Sequence, residues 1–271
     1  MAAISVVVIT YNEEHNIERC LKSLGWADEI IVVDSFSTDR TVELAGNYTR
    51  LIIQHAYDGD IRQRERGFAM ATSGWLCYID ADEEVTPELG REIRTVIDGD
   101  KAMDGYDVPR KVFILGQWIR HGGWYPDYTL RLFRRESYHP EFAEVHGGFS
   151  VWGEKGRLHG FLNHFTYNSI AQYISKMNDY TSLQVSNKLQ NPGRGEGTVL
   201  KIVLSPVSYF FRKYISNNGF KDGMIGFILA ALGSISTLAL YSKLWEYRMR
   251  LDEGKQALPP VTNIDLQQYK R

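Results

Sequence analysis

The chain has 271 residues, 44% hydrophobic and 24% charged, with a formal net charge of −2. That composition is of a globular protein able to bury a sizeable core, not of a disordered or collagenous chain. Two cysteines, Cys20 and Cys77, exclude a disulfide scaffold and point to buried thiols in a reduced compartment. Charge is unevenly spread: residues 1–100 hold 19 acids against 9 bases, whereas residues 201–250 hold only Asp222 and Glu246 against seven bases. An acidic half suits a metal-assisted anion site, and a basic, aromatic half suits an anionic surface. The amino terminus lacks a basic n-region and reads as a first strand rather than a signal peptide, so the catalytic half is expected in the cytoplasm.

The first hundred residues alternate strand and helix signals. Ile4–Thr10 is a continuous β-branched run, the pattern of a strand buried on both faces. Asn16–Leu24 has helical spacing, Glu29–Asp34 is a second buried strand, and Ser37–Thr41 supplies capping residues ahead of a helix over Val42–Ala45. Leu51–Ile53 is a third strand, Ile61–Ala71 a helix and Trp75–Ile79 a fourth strand. This alternation predicts an α/β fold with a mostly parallel, doubly wound sheet and flanking helices. After Pro87 and a helix to Ile97, residues 105–165 turn irregular, with short strand pieces at Tyr106–Val108, Val112–Leu115 and Leu130–Phe133. Residues 168–190 read as a polar helix, and Asn191–Gly195 is a break. The expected division is a catalytic domain over 1–167, with a nucleotide half at 1–100 and an acceptor half at 101–167, followed by a helical region over 168–271.

In that last region Gly223–Ser242 is 20 residues without a charge, just long enough to span a bilayer but diluted by Gly, Ser and Thr. Arg212, Lys213, Lys221, Lys243, Trp245 and Arg248 flank it, as in an interfacial segment, and residues 203–245 are therefore expected to contact a membrane surface. A buried or dimer-forming helix and a true span are the alternatives. Nucleic acid is excluded as a partner, because these bases flank an apolar segment rather than forming a stacking face.

Four segments fall at the carboxyl edge of the expected sheet, where open α/β folds bind ligands: Thr10–Glu14, Asp34–Asp39, Gln63–Arg66 and Asp80-Ala81-Asp82-Glu83. Alternation along an extended backbone would point Asp80 and Asp82 to one side. Two hard oxygen donors suit Mg²⁺ or Mn²⁺ shared with a substrate diphosphate. The plainer reading is an acidic turn whose Glu83, Glu84 and Glu88 favour the next helix's amino end. Asp34 can accept a hydrogen bond from a base or a ribose, or serve as a turn residue, and Asp39 reads as a cap or a partner for Arg40 rather than a ligand contact. The histidines His121, His139, His146, His159 and His164 have no compact zinc spacing, and His164 is either a core histidine or an extra metal or diphosphate contact.

The runs Val-Ile-Thr-Tyr-Asn-Glu-Glu, Ile-Ile-Val-Val-Asp-Ser-Phe-Ser-Thr-Asp-Arg-Thr and Ile-Asp-Ala-Asp-Glu resemble the family 2 glycosyltransferases with the GT-A (Rossmann-like) fold, over about residues 4–165. The resemblance implies that Thr10, Tyr11 and Glu13 line the nucleotide pocket with Asp34 and Arg66, and that Asp80-Ala81-Asp82 is a DxD motif. It also implies that Asp82 reaches the metal. Trp124–Asp127, Leu130–Arg135, Val145-His146 and Leu162–Tyr167 narrow the resemblance to the lipopolysaccharide core β-1,4-glucosyltransferases, which transfer glucose to an inner-core heptose. Trp124, Tyr125, Arg131 and His146 are then the expected acceptor contacts. One departure is that the subgroup's Val-His-Glu is Val145-His146-Gly147 here, with Glu144 as a possible substitute.

The family inverts the anomeric centre in one displacement, which needs a base on the acceptor hydroxyl and stabilisation of the departing diphosphate. Asp127, in an aromatic loop, is the first candidate base and Glu144 the second. The expected function is transfer of a hexose, glucose by resemblance, from a nucleotide-diphosphate sugar (UDP-linked) to a glycolipid such as lipopolysaccharide core. The expected place is the cytoplasmic face of the inner membrane, in peripheral or monotopic attachment. The rivals are a polyprenyl-phosphate glycosyltransferase and a catalytically silent glycan- or lipid-binding protein on the same fold.

Overall fold

The structure, a computed structural model, describes residues 2–141, 148–190 and 199–252. The described residues form two compact units, one of residues 2–113 with 126–141 and 148–166, the other of residues 114–125 with 167–190 and 199–252.

In the first unit, β1 (Ile4–Thr10), β2 (Glu29–Asp34), β3 (Leu51–Gln54) and β4 (Trp75–Asp80) lie parallel in the order β3-β2-β1-β4. Every residue of β1 is buried, so its apolar run packs on both faces. One face carries α1 (Ile17–Lys22), α2 (Thr41–Ala45) and α4 (Pro87–Ile97), and the other α3 (Asp60–Met70) with an aromatic cluster around Phe133. Burial of each such Val, Ile or Leu contributes about 1.5–3 kcal/mol, enough to fix the register of the central strands. Gly67 lets α3 approach β1, since a Cβ there would overlap Val7 Cγ1 and Cγ2. Gly67→Val is therefore expected to cost about 1–3 kcal/mol by overpacking, read as a Tm lowered by about 2–4 °C per kcal/mol.

The sheet then changes direction. β5 (Glu83–Val85) follows the Asp80 turn, and β6 (Gly105–Ile114) and β8 (Asp127–Arg134) run antiparallel to one another. β7 is the two-residue strand Gln117–Trp118. β8 lies antiparallel beside β4, in the overall order β3-β2-β1-β4-β8-β6-β12-β5, where β12 is Leu162–Tyr167. Two expected strand pieces, Tyr106–Val108 and Val112–Leu115, are one strand through Pro109. The register is interrupted between Tyr106 and Asp107, and the polar Asp107, Arg110 and Lys111 hide the alternation. Three short strands complete the set: β9 (Tyr138–Glu141) pairs antiparallel with β10 (Gly148–Val151), and β11 (Lys155–Arg157) pairs parallel with β6.

The acidic-turn reading of Glu83 and Glu84 is corrected: both lie in β5, and α4 is capped instead by Thr86, whose hydroxyl accepts from Leu89 N, with Pro87 opening the helix. The extended geometry expected over residues 80–82 is likewise not found, because β4 ends at Asp80 and the chain turns at Ala81-Asp82.

The second unit is helical: α5 (Ile170–Gln190), α6 (Val199–Phe211), a π-helical turn (Arg212–Ser216), a 3₁₀ turn (Gly219–Asp222) and α7 (Gly223–Asp252). The uncharged stretch at 223–242 is the first two thirds of α7, which packs against both α5 and α6. Gly219–Arg250 is long and apolar enough to cross a membrane by length and composition. Close packing of α6 on α7 depends on Gly233, where a Cβ would overlap the Tyr209 ring.

Candidate functional site

The carboxyl ends of the parallel strands are in register, with Thr10 opposite Asp34, Asp34 opposite Gln54, and Ile9 opposite Asp80. The loops beyond β1 and β2 are tied together. Asn12 N donates to Ser37 Oγ at 2.8 Å, Glu13 N to Thr41 Oγ1 at 2.7 Å, and Glu14 N to Asp39 Oδ2 at 3.1 Å. Asp39 also accepts from Thr41 N at 3.0 Å, bracing the turn ahead of α2, whose N-cap position is Arg40. Those bonds hold its carboxyl below the usual range, against burial. Asn12 and Phe36 adopt left-handed backbone, at φ 52° and 61°. Asn tolerates that region, whereas Phe there is uncommon and leaves its ring exposed.

Of the expected nucleotide contacts, Asp34 is fully buried, its Oδ2 accepting from Ser37 N at 2.9 Å and Gln54 Nε2 at 3.0 Å, and its Oδ1 from the Ser37 hydroxyl. Its side chain positions the loop. Thr10 Oγ1 is a buried hydroxyl without a partner among the described residues, at the centre of this edge. Tyr11 and Glu13 are half-buried beside it, Glu13 accepting from Asn16 Nδ2 at 2.7 Å. Arg66 turns away to Asp58, with both guanidinium nitrogens at 2.6 Å from its carboxylate. Arg64, two residues earlier and therefore on a different helix face, reaches Asp80 Oδ1 at 2.6 Å instead.

The segment Asp80-Ala81-Asp82 divides its two carboxylates. Asp80 accepts from Arg64 and, at 3.3 Å, from Arg131. Arg131 also donates to Glu83 Oε1 at 2.6 Å, and Glu83 Oε2 accepts the Asp80 N–H at 2.9 Å. Glu83 and Arg131 are both buried, and the two guanidiniums flank Tyr78, at 4.4 Å (Arg131) and 4.6 Å (Arg64) from its ring centroid. Burial pushes the Glu83 carboxyl above its usual value despite the guanidinium beside it. Burial works against the Arg131 charge, but Glu83 and Asp80 outweigh it and hold the proton more firmly than in water. Ala81, buried, closes the turn.

Asp82 points elsewhere. Its Oδ2 lies 3.3 Å from His164 Nε2, brought there because β12 pairs with β5, His164 opposite Glu83. Burial works against the His164 imidazolium, yet Asp82 raises its pKa above the ordinary value. Asp82 and His164 supply one carboxylate and one imidazole side by side. Among the described residues no group of three or more His, Cys, Asp or Glu side chains could hold a metal by itself. A two-donor set fits a hard octahedral cation that takes its other ligands from a diphosphate and water, and does not fit a closed zinc site.

Asp127 opens β8 directly across from Arg110, and its Oδ2 accepts from Arg110 Nε at 2.9 Å and Nη2 at 2.6 Å. Arg110 also lies 3.7 Å from Glu83, so one guanidinium links the candidate base to the buried network. Arg131 is internal, Trp124 and Tyr125 belong to the helical unit, and Glu144 and His146 lie outside the described residues. Arg64 and Glu83 lie in two of the expected edge segments but were given no role of their own, and Arg110 is the residue that sequence reasoning missed. No local signal pointed to Arg110, which reaches the site only through the pairing of β6 with β8.

A model of glycosyl transferase family 2 matches residues 5–150, more than half of the chain. The chain is 26% identical to the lipopolysaccharide core biosynthesis glycosyltransferase LpsC of Rhizobium meliloti, over 97% of this chain and 96% of that one. It is 24% identical to an uncharacterized glycosyltransferase of Rickettsia typhi, over 92% and 89%. Among solved structures it is similar to S. aureus TarS 1-349 in complex with UDP-GlcNAc, at TM-score 0.46 and 15% identity, covering 94% and 93%. The parallel half-sheet and the match across residues 5–150 agree, and the chain belongs to glycosyl transferase family 2, a family of enzymes.

Proposed function

We propose that this chain is an inverting hexosyltransferase that takes a UDP-linked sugar with Mg²⁺ or Mn²⁺ and glycosylates a glycolipid of the lipopolysaccharide core class at a membrane surface. The observation that carries the reading is the division of labour in Asp80-Ala81-Asp82. Asp80 is locked by two arginines, and Asp82 is presented with His164 at the strand edge. The full-length likeness to a lipopolysaccharide core glycosyltransferase supports the acceptor class and, with it, attachment to the cytoplasmic face of the inner membrane. A divalent cation held by Asp82 and His164 would supply Lewis-acid stabilisation of the leaving diphosphate.

The chain's own groups do the rest. Thr10, Tyr11 and Glu13 surround the nucleoside, with Thr10 Oγ1 offering a hydroxyl that has no partner among the described residues. The tied β1 and β2 loops hold that pocket in shape before the donor arrives. Asp127 takes the acceptor proton, its carboxylate held in place by Arg110 through Oδ2.

Calorimetric titration with UDP and GDP, each with and without Mn²⁺, tests the donor assignment. Mn²⁺-dependent binding of UDP over GDP is the expected result, and equal or absent binding of both overturns it. In a transfer assay Asp127→Asn is expected to lower kcat by about 10²–10⁴ with little change in UDP affinity. An unchanged kcat removes Asp127 as the base.

A further inference from the structure

The turns that follow β1 and β2 are bonded to one another at both ends. Ser35 N donates to Thr10 O at 2.9 Å, and Asn12 N donates to Ser37 Oγ at 2.8 Å. One residue lies between these ties on each side, Tyr11 on the first turn and Phe36 on the second. The topology therefore sets two aromatic residues side by side at the edge that carries Thr10 and Asp34. Ser35 is also held from α3, its Oγ accepting from Gln63 Nε2 at 3.0 Å, and the same amide donates to His55 O at 3.0 Å. Ser37 N donates to Asp34 Oδ2 at 2.9 Å. Both neighbours of Phe36 are thus fixed.

Phe36 itself adopts left-handed backbone, at φ 61°, with 53% of the residue exposed. For a residue with a large ring that conformation is an outlier, and glycine or asparagine would adopt it with less strain. Burial does not offset the strain, because most of the ring stands in water. A strained residue that its own packing does not stabilise is a candidate for a functional contact.

The donor site has need of one here. Asp34 is fully buried, and both its carboxylate oxygens are engaged, Oδ2 by Ser37 N and Gln54 Nε2 and Oδ1 by the Ser37 hydroxyl. It has no surface to offer a base. What these two turns present outward between their ties is aromatic, Tyr11 half-buried and Phe36 exposed. An exposed aromatic face is what a planar heterocycle stacks on, whatever hydrogen-bonding pattern the base carries.

We infer that Phe36 binds the nucleobase of the donor, its ring held beside Tyr11 so that the base lies against it. This rests on the proposed nucleotide-diphosphate sugar donor and deepens it by naming the residue that receives the base. The strain of the turn is then offset in the nucleotide complex rather than in the free protein.

Calorimetric titration of the full chain with UDP and with inorganic pyrophosphate, each with Mg²⁺, tests this on wild type, Phe36→Gly and Phe36→Asn. Both substitutions remove the ring and suit a left-handed residue, and asparagine does so without the added freedom of glycine. Each is expected to weaken UDP binding about tenfold, the size of one stacked-base contact, and to leave pyrophosphate binding unchanged. The melting temperature is expected to equal or exceed that of wild type, since strain is relieved and little burial is lost. An equal loss of affinity for UDP and pyrophosphate overturns the inference, because the damage would lie at the diphosphate. A loss in Phe36→Gly alone also overturns it, assigning the effect to a loosened turn. A melting temperature lowered by several degrees in both variants makes the ring a packing residue and overturns it as well. UDP binding that wild type shows and both variants retain in full is failure of the inference alone. Absence of UDP binding from wild type is failure of the donor reading, and the inference falls with it.

Discussion

Asp82→Asn is expected to abolish Mn²⁺-dependent UDP binding, weakening it at least about 100-fold, while leaving the melting temperature within a few degrees of wild type. The two effects separate because of where the carboxylate sits. Asp82 occupies a turn, with about a fifth of its side chain exposed, and its backbone oxygen accepts from Phe165 N at 2.9 Å whatever the side chain carries. Replacing the carboxylate by an amide keeps the shape and removes the anionic donor that a hard cation requires. Asp80→Asn is the informative contrast. Its oxygens take Arg64 at 2.6 Å and Arg131 at 3.3 Å, so losing that charge leaves two buried guanidiniums poorly neutralised. Asp80→Asn should therefore lower stability first and donor binding as a consequence. UDP–Mn²⁺ affinity unchanged in Asp82→Asn would remove Asp82 from the metal assignment, whatever Asp80 does.

The same segment shows what a linear reading can and cannot reach. The strands Ile4–Thr10, Glu29–Asp34 and Trp75–Asp80 were legible because a parallel strand covered on both faces must be apolar at nearly every position. Their carboxyl ends followed at once, and with them the neighbourhood of Thr10, Asp34 and Asp80. The partners of those residues were not legible, because they are set by strands arriving from elsewhere. β8 returns antiparallel beside β4 and carries Arg131 under the DxD turn, and β12 pairs with β5 and carries His164 to Asp82. Nothing in the local pattern of Leu130–Phe133 distinguishes an inward arginine from a solvated one. The choice between Arg64 and Arg66 failed for a simpler reason: residues two apart on a helix face different ways, and only the fold says which faces the sheet edge. Pro109 concealed the continuity of β6, since a proline argues against a strand interior. In the helical unit, the uncharged run of 223–242 drew attention to itself, whereas the more exposed apolar face lies on α6.

Arg131→Met is expected to be among the most destabilising single changes in the sheet-containing unit, at about 3–5 kcal/mol, because it strands the Glu83 carboxylate in the core. Glu83 is fully buried and receives its shortest side-chain contact, 2.6 Å, from this guanidinium, with Arg110 more distant at 3.7 Å. A buried pair of this kind adds little net stability over apolar residues of similar volume, since desolvation offsets the attraction. Its removal as a pair should therefore be far milder than removal of one partner. Arg131→Met with Glu83→Leu is expected to recover most of the loss. It should retain a deficit of about 1–3 kcal/mol, because the Asp80 N–H loses its acceptor, Glu83 Oε2. Urea unfolding of the two single variants and the double variant, closed as a thermodynamic cycle, measures the coupling. A coupling near zero would mean that the two side chains do not act as an ion pair. The function should follow the geometry rather than the stability. In the double variant the turn from Asp80 to Glu83 loses the bond that closes it, so Asp82 is no longer held at the strand edge. Weakened UDP–Mn²⁺ binding in a variant that is nearly as stable as wild type would identify Glu83 and Arg131 as positioning residues for the DxD turn. Unchanged binding would limit them to stability.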